Sequence, residues 1–296
     1  MRVLLVGAGG QLGGMIARIG ADGCDLHAAD RTRLDITDAG AVREAVTGLR
    51  PDIIINAAAY TAVDRAESEP EAAHAINVDG ARHLAQAAAA VGARMLHVST
   101  DFVFDGRAWT PYAPDAGTNP LGVYGRTKRD GERAVMEAAG EHATVVRTSW
   151  VYGPGGHNFV RTMLRLIAER DEVTVVSDQI GAPTHTAGLA GALLALCEHP
   201  ETGGRILHWS DAGAASWFDL ADAVRAIMQR RWRHLDPGEV VPIFTEDFPT
   251  PAHRPPYSVL DCRAARDLLG CPPSWRERLE HALMRDDERF WLPASD

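Results

Sequence analysis

"RVLLVGAGGQLGGMIARIG" occupies residues 2–20. A short apolar run, "RVLLV", meets glycine, and "LGGMIARIG" then continues with helical spacing. A strand, a turn carrying Gly7, Gly10 and Gly13, and a helix follow one another without a gap. Glycines so placed permit a tight turn and let backbone N–H groups and a helix N-terminus approach a pyrophosphate. Spaced glycines alone say little, and a Gly-rich turn with no ligand is the rival reading. The strand before, the helix after and the position near the start of the chain favour a dinucleotide loop.

The pattern continues outward. "LHAAD" reads as a second strand ending on Asp30, about 20 residues past the loop, where an acid can bind a ribose diol. Arg31 and Arg33 follow and can accept a 2′-phosphate, so both NADPH and NADH are candidate cofactors. The competing role for Asp30 is that of a cap or turn residue. "AGAVREAVTGL" reads as a helix, and "PDIIINAAA" as a buried strand closing on Ala57, Ala58 and Ala59. Small side chains there suit a cofactor lying on the strand end, and equally suit helix–sheet packing. A long Ala-rich helix bent near Gly80, a strand "RMLHVST", a helix over 124–140 and a strand "HATVVRTSWVYG" come next. Such alternation predicts an α/β fold, a Rossmann-type doubly wound parallel sheet. After about residue 152 the pattern loosens into helices and Pro-rich connectors. We therefore assign 1–152, with returning segments about 184–210, to a dinucleotide-binding domain, and 153–183 with 211–296 to a smaller substrate-binding domain.

The chain of 296 residues carries a formal charge of −10, which neither nucleic acid nor an anionic membrane would attract. A local basic pocket can still hold a small anionic ligand. The cysteines Cys24, Cys197, Cys262 and Cys271 show no CxxC and no zinc spacing, so a reducing cytosol is the simplest setting. "MRVLLVGAGG" is too short for a secretory apolar region, and no stretch approaches the roughly 18–20 apolar residues of a membrane span. A cytoplasmic protein is expected.

"GVYGRTKRDGE", residues 122–132, sets Tyr124 and Lys128 four positions apart, on one helix face. A free tyrosine titrates near 10 and is a slow acid at neutral pH. A nearby ammonium lowers that value, and proton transfer gains as the donor approaches the working pH. "VSTDF" supplies Ser99 and Thr100, hydroxyls suited to hold a substrate oxygen. Thr100, Tyr124 and Lys128 beside a nicotinamide form a set for moving H⁻ and H⁺ across a C–O bond. A surface ion-and-phenol pair is the bland alternative.

Together these motifs resemble the extended short-chain dehydrogenase/reductase superfamily. More closely, "NAAAYTAVDRAE", "INVDGARHLA", "STDFVFDG", "NPLGVYGRTKRDGE", "RTSWVYG", "NFVRTML", "DQIGAPT" and "RPPYSVLD" resemble the dTDP-4-dehydrorhamnose reductase family over about residues 1–285. That family reduces the 4-keto group of dTDP-4-keto-6-deoxy-L-mannose with NAD(P)H. The resemblance implies Tyr124 as proton donor, with Lys128 polarising it and holding the nicotinamide ribose. It implies Thr100 at the sugar C4 oxygen, Asp101 beside it, and Trp150 against the substrate. Gly10, Gln11 and Leu12 match the pyrophosphate loop, Asp30, Asp35 and Ile36 the adenosine contacts, and Ala57 to Ala59 the later cofactor wall. Asn77 falls where superfamily members carry a structural or proton-relay asparagine. Arg254 in "HRPPYS" is a candidate clamp for the substrate diphosphate, against a solvated surface role, and "RRWRH" reads as an exposed helix end. Some members dimerise through a magnesium site using a glutamate where this chain has Met15, which cannot ligate Mg²⁺. No metal is expected, and a monomer or weak homodimer is.

Rival activities remain. A 4,6-dehydratase resembles this pattern but carries Thr-Asp-Glu, and here Thr100-Asp101 precedes Phe102. A combined epimerase–reductase needs further acid/base groups, for which His157 and His185 are near candidates. Reduction of another dTDP-deoxysugar is open, as is a non-catalytic NAD(P)-binding regulatory subunit.

Overall fold

The computed structural model describes residues 1–20, 24–285 and 291. Its strands are β1 (Arg2–Val6), β2 (Asp25–Ala29), β3 (Ile53–Asn56), β4 (Arg94–Thr100), β5 (Ala143–Thr148), β6 (Val151–Tyr152), β7 (Glu172–Val176), β8 (Ile180–Gly181), β9 (Thr184–His185), β10 (Ile206–His208), β11 (Ala215–Ser216) and β12 (Glu239–Ile243). The α-helices are α1 (Gln11–Ile19), α2 (Ala39–Leu49), α3 (Val63–Ala66), α4 (Pro70–His74), α5 (Ala81–Val91), α6 (Val123–Ala139), α7 (Phe159–Glu169), α8 (Thr186–Leu196), α9 (Trp217–Arg231), α10 (Arg263–Leu269) and α11 (Trp275–Arg285).

Six strands form one sheet in the order β10-β5-β4-β3-β1-β2, every neighbouring pair parallel. Strand side chains alternate between faces, and both faces are covered. Val3 and Leu5 join Ile16, Leu189 and Leu193 in one core. Leu4 and Val6 join Val42, Leu84 and Val135 in the other. Helices α1 and α8 thus cover one face, and α2, α5 and α6 the other. The chain leaves β1 for β2 on one side and later places β3 on the other, so the order reverses between β1 and β3. In open α/β sheets the crevice at that reversal, beyond the carboxyl ends of the strands, takes the ligand.

The long Ala-rich helix changes its winding at Gly80, and the change has a cause. The long helix splits into α4, one wide π-helical turn over Ala75–Gly80, and α5. A Cβ on Gly80 would sit 2.5 Å from Ile36 Cγ1, so glycine lets the turn pack against the segment after β2.

A further core joins α7, α9 and α11 with β7 and β12, through residues such as Leu164, Val173, Val224, Val240 and Leu279. The basic run closes α9, where Arg230 pairs with Glu280 at 2.8 Å and Trp232 is buried. Among the described residues, no helix is long and apolar enough to cross a membrane.

Candidate active site

The glycine loop is built by close approach. Gly7 has φ +86, and a Cβ there would meet Ala58 N at 2.5 Å and Ala57 C at 2.7 Å. The loop therefore lies against the small residues that end β3. A Cβ on Gly13 would run into Gly7 O, so α1 packs directly on the turn. Gly10 caps α1 without a side-chain bond, leaving the first-turn N–H groups to an outside acceptor. Leu12 is buried beneath them. Gln11 faces the loop after β6: its Nε2 donates to His157 O at 3.0 Å, and its Oε1 accepts from Asn158 Nδ2 at 2.8 Å. Gly9, Gly10, Pro154, Gly155 and Gly156 line the cleft between the two loops.

Asp30 makes the turn that its rival reading foresaw. Its Oδ1 accepts from Thr32 N, Thr32 Oγ1 and Arg33 N at 3.0, 2.7 and 3.1 Å, and these bonds hold the carboxyl below its usual range. It also borders the glycine loop, since a Cβ on Gly9 would lie 3.5 Å from Asp30 Cβ. Asp35 closes a similar turn on Thr37, and Ile36 is buried under Gly80.

At the carboxyl end of β4, Thr100 Oγ1 donates to Asp101 Oδ1 at 3.0 Å and accepts from Phe102 N at 3.2 Å. The Tyr124 phenol lies near enough to Thr100 for that hydroxyl to favour its ionised form, and its ring meets Phe102 edge-on at 5.7 Å. Lys128, 2% exposed, donates from Nζ to Val98 O at 2.7 Å. So α6 brings both side chains to the end of β4, as the spacing predicts. Glycines make this possible: a Cβ on Gly125 would strike Phe102 O, and one on Gly131 would strike Asn77 O.

One expectation is corrected. Lys128 was to lower the Tyr124 pKa. Burial instead pushes Tyr124 up to about 12, with the Thr100 bond lowering it in part and the Asp101 carboxylate adding to the rise. Burial also drives Lys128 down to about 8, against the raising effect of Glu132. The ammonium is turned toward the backbone of β4, and loss of solvent outweighs charge at the phenol.

Asp101 is 1% exposed, and burial raises its carboxyl to about 6. Trp150 takes a left-handed backbone, φ 46, and lies flat on Trp217 with ring centroids 3.4 Å apart. Its edge fills the space a Cβ on Gly181 would need. Arg254 pairs with Asp64 at 2.8 Å, so its guanidinium is partly engaged. Asn77 accepts from Tyr60 N and donates to Tyr60 O and Thr127 Oγ1, a clamp between the loop after β3 and α6. His185 is committed to capping α8, its ring nitrogen accepting from Ala187 N at 3.2 Å, and burial lowers it to about 4. Met15 is buried in the core under α1.

The sequence reading missed Glu132, Arg147, Glu67 and Trp217. Glu132 had a signal, because it follows Tyr124 and Lys128 at the same four-residue interval. Trp217 and Arg147 had none, since each meets its partner across a long stretch of chain.

A family model described as the RmlD substrate binding domain matches residues 1–287. A Streptomyces griseus protein named dTDP-4-dehydrorhamnose reductase is 47% identical over 264 residues, 88% of this chain and 85% of that protein. A Mycobacterium tuberculosis protein of the same name is 45% identical over 290 residues, 95% of this chain and 92% of the relative. A Bacillus anthracis dTDP-4-dehydrorhamnose reductase, solved in complex with NADP, superposes with a TM-score of 0.90 at 38% identity, covering 96% of this chain and 99% of that one.

Proposed function

We propose, from the premise that this chain belongs to the dTDP-4-dehydrorhamnose reductase family, that it reduces the 4-keto group of dTDP-4-dehydro-6-deoxy-L-mannose with NADPH or NADH, giving dTDP-L-rhamnose. The observation that carries the chemistry is the cluster at the end of β4, where Lys128 Nζ donates to Val98 O, Thr100 Oγ1 donates to Asp101 and the Tyr124 ring, one helical turn from Lys128, packs edge-on against Phe102.

The residues fit a dinucleotide. Gly7 and Gly13 leave space that no side chain could share with the loop, α1 opens without a side-chain cap, and Ala57 to Ala59 keep the adjoining strand end low. Gly10, Gln11 and Leu12 would hold the pyrophosphate, Asp30, Asp35 and Ile36 the adenosine, and Lys128 the nicotinamide ribose. The reduced nicotinamide, when bound, supplies the hydride. Tyr124 keeps its phenol proton throughout the neutral range because its pKa lies at about 12. An alkoxide forming at C4 is more basic than the resulting phenolate, so Tyr124 gives up that proton downhill. Thr100 Oγ1, near the phenol, would hold the C4 oxygen of the sugar, with Asp101 beside it. Trp150 would pack on the substrate, and Arg254 would offer the diphosphate the donors it does not spend on Asp64.

The same reading assigns 1–152 with about 184–210 to the cofactor and the remainder to the sugar nucleotide. It places the reaction in the cytoplasm, in a monomer or weak homodimer without metal. The test is spectrophotometric: enzymatically prepared dTDP-4-keto-6-deoxy-L-mannose with NADH and NADPH in parallel. Oxidation of neither coenzyme, with the chain alone and folded, overturns the proposal in favour of a regulatory subunit. A second substrate has its own support, because a Streptomyces antibioticus relative 44% identical over 291 residues is named a probable dTDP-4,6-dihydroxy-2-methyloxan-3-one 4-ketoreductase. Faster turnover of that keto-sugar would decide for it.

A further inference from the structure

Two buried charges lie just behind the reacting side chains, and the chemistry above does not use them. Glu132 is 3% exposed and Arg147 2%. Arg147 grips Glu132 with paired bonds, Nε to Oε1 at 2.8 Å and Nη2 to Oε2 at 2.7 Å. Ser99 Oγ donates to the same Oε1. Arg147 Nη1 donates to Pro114 O at 3.1 Å and faces His208 Nε2 at 3.4 Å, and burial keeps His208 neutral. A buried ion pair is poor evidence of stability, since apolar side chains of similar volume often do as well or better. Its place in the structure suggests a different role.

Ser99 stands between Val98, whose carbonyl receives Lys128 Nζ, and Thr100, whose hydroxyl acts on the Tyr124 phenol. Tyr124, Lys128 and Glu132 recur at intervals of four along α6, so one helix face carries all three. Lys128 and Glu132 bond the consecutive residues Val98 and Ser99, and Tyr124 lies beside Phe102 just past the strand end. We propose that Glu132, gripped by Arg147, is a positioning residue for this reaction. By bonding Ser99 it fixes α6 against β4, so that Lys128 and Tyr124 stay in register with Val98 O and Thr100. The other titratable group against Lys128 is His97 on β4, which burial holds neutral and which meets Asn56 Nδ2 at 3.1 Å. Arg147 from β5 is occupied by Glu132, and Asp101 acts on Tyr124. Of the charged groups near Lys128, Glu132 is the one that raises its pKa, against the larger lowering by burial.

The inference rests on Tyr124 and Lys128 being the reacting pair. Glu132→Gln keeps the shape and removes the charge. Glu132→Gln combined with Arg147→Met also removes the cation that Gln would leave unbalanced. In both, kcat for NADPH oxidation with the dTDP-keto-sugar is expected to fall about tenfold or more, with KM for the sugar nucleotide little changed. The alkaline limb of the pH–rate profile is expected to move about half a pH unit or more toward acid. A double variant that folds, turns over at the parental rate and keeps its alkaline limb makes the pair a structural strut and overturns the inference. If Glu132→Gln does not fold, the double variant decides. If neither folds, Ser99→Ala decides, because it cuts the tie and leaves the ion pair intact; a parental kcat there also overturns the inference. The underlying reading fails separately, through a Tyr124→Phe protein that turns over at the parental rate.

Discussion

Glu67 Oε1 accepts the backbone N–H of Val123 at 2.7 Å, so a carboxylate at the end of α3 closes the first turn of the helix that carries Tyr124. Gly122, at the cap position, has no side chain to do this. A negative charge there also meets the positive end of the helix dipole. Removing it leaves an N–H without its partner, at about 1 kcal/mol for a lost cap. Glu67→Ala is expected to melt roughly 2 °C lower and to turn over more slowly, while Glu67→Gln, which keeps an acceptor oxygen, retains most of both. Identical melting curves for the parent and the Ala variant would show that the bond contributes nothing.

Tyr124→Phe removes one oxygen and leaves the ring against Phe102. Coenzyme binding, followed by fluorescence, is expected to stay near the parental value. Turnover is expected to fall by about 10²–10⁴, the usual contribution of a positioned general acid. A fall in binding equal to the fall in rate would mean that the phenol holds ligand and gives no proton.

Lys128 titrates at about 8, below its ordinary 10.5, because it is buried. A cation at this position is therefore lost as the pH rises through about 8, and activity that needs it declines on the alkaline side with a midpoint near there. Lys128→Met is expected to bind the nicotinamide half more weakly and to show no such limb. A limb that persists in the Met variant assigns it to another group.

The parts of this molecule legible from sequence are those decided locally. Ile53, Ile54 and Ile55 are buried on both faces of the sheet, and an unbroken aliphatic run says as much. Helix α2 starts after Asp38, which caps it, and covers the stretch its spacing marks. Tyr124 and Lys128 are one turn apart, so their common face follows from helix geometry alone. Glu132 and Arg147 find each other across two elements, and Trp150 and Trp217 meet against one core from distant parts of the chain. Nothing in the local spacing selects those partners. The direction of the Tyr124 shift was hidden for a related reason. Sequence shows which charges are near in the chain, but burial, which dominates here, is a property of the packed whole.

Glycines test the packing directly. A Cβ on Gly131 would strike Asn77 O, backbone that the Asn77 clamp on Tyr60 and Thr127 holds in place. Gly48, within α2, has open space around its Cβ position. Gly131→Ala is expected to destabilise by about 1–3 kcal/mol or more through overpacking. Gly48→Ala is expected to stabilise by roughly 0.5–1 kcal/mol through helix propensity. Urea unfolding of both variants checks the pair, and similar midpoints for the two would contradict the close approach of α6 to the π-helical turn.

Asp101 ties the fold to pH. Its carboxyl titrates at about 6 in the folded chain and near 3.8 unfolded. Between those values the native state holds the extra proton, so this residue's contribution to stability is present below about pH 4 and is lost as the pH rises through about 6. The loss is on the order of 3 kcal/mol. Asp101→Asn cannot ionise, and its buried amide brings a cost that does not change with pH. Relative to the parent, the Asn variant is therefore expected to gain stability between pH 4 and pH 7 by an amount of that order. Denaturant unfolding of both proteins at the two pH values measures the difference, and every other titrating group cancels in it. A stability gap between parent and variant that stays constant across the range would mean that the Asp101 carboxyl ionises normally and is not desolvated beside Thr100.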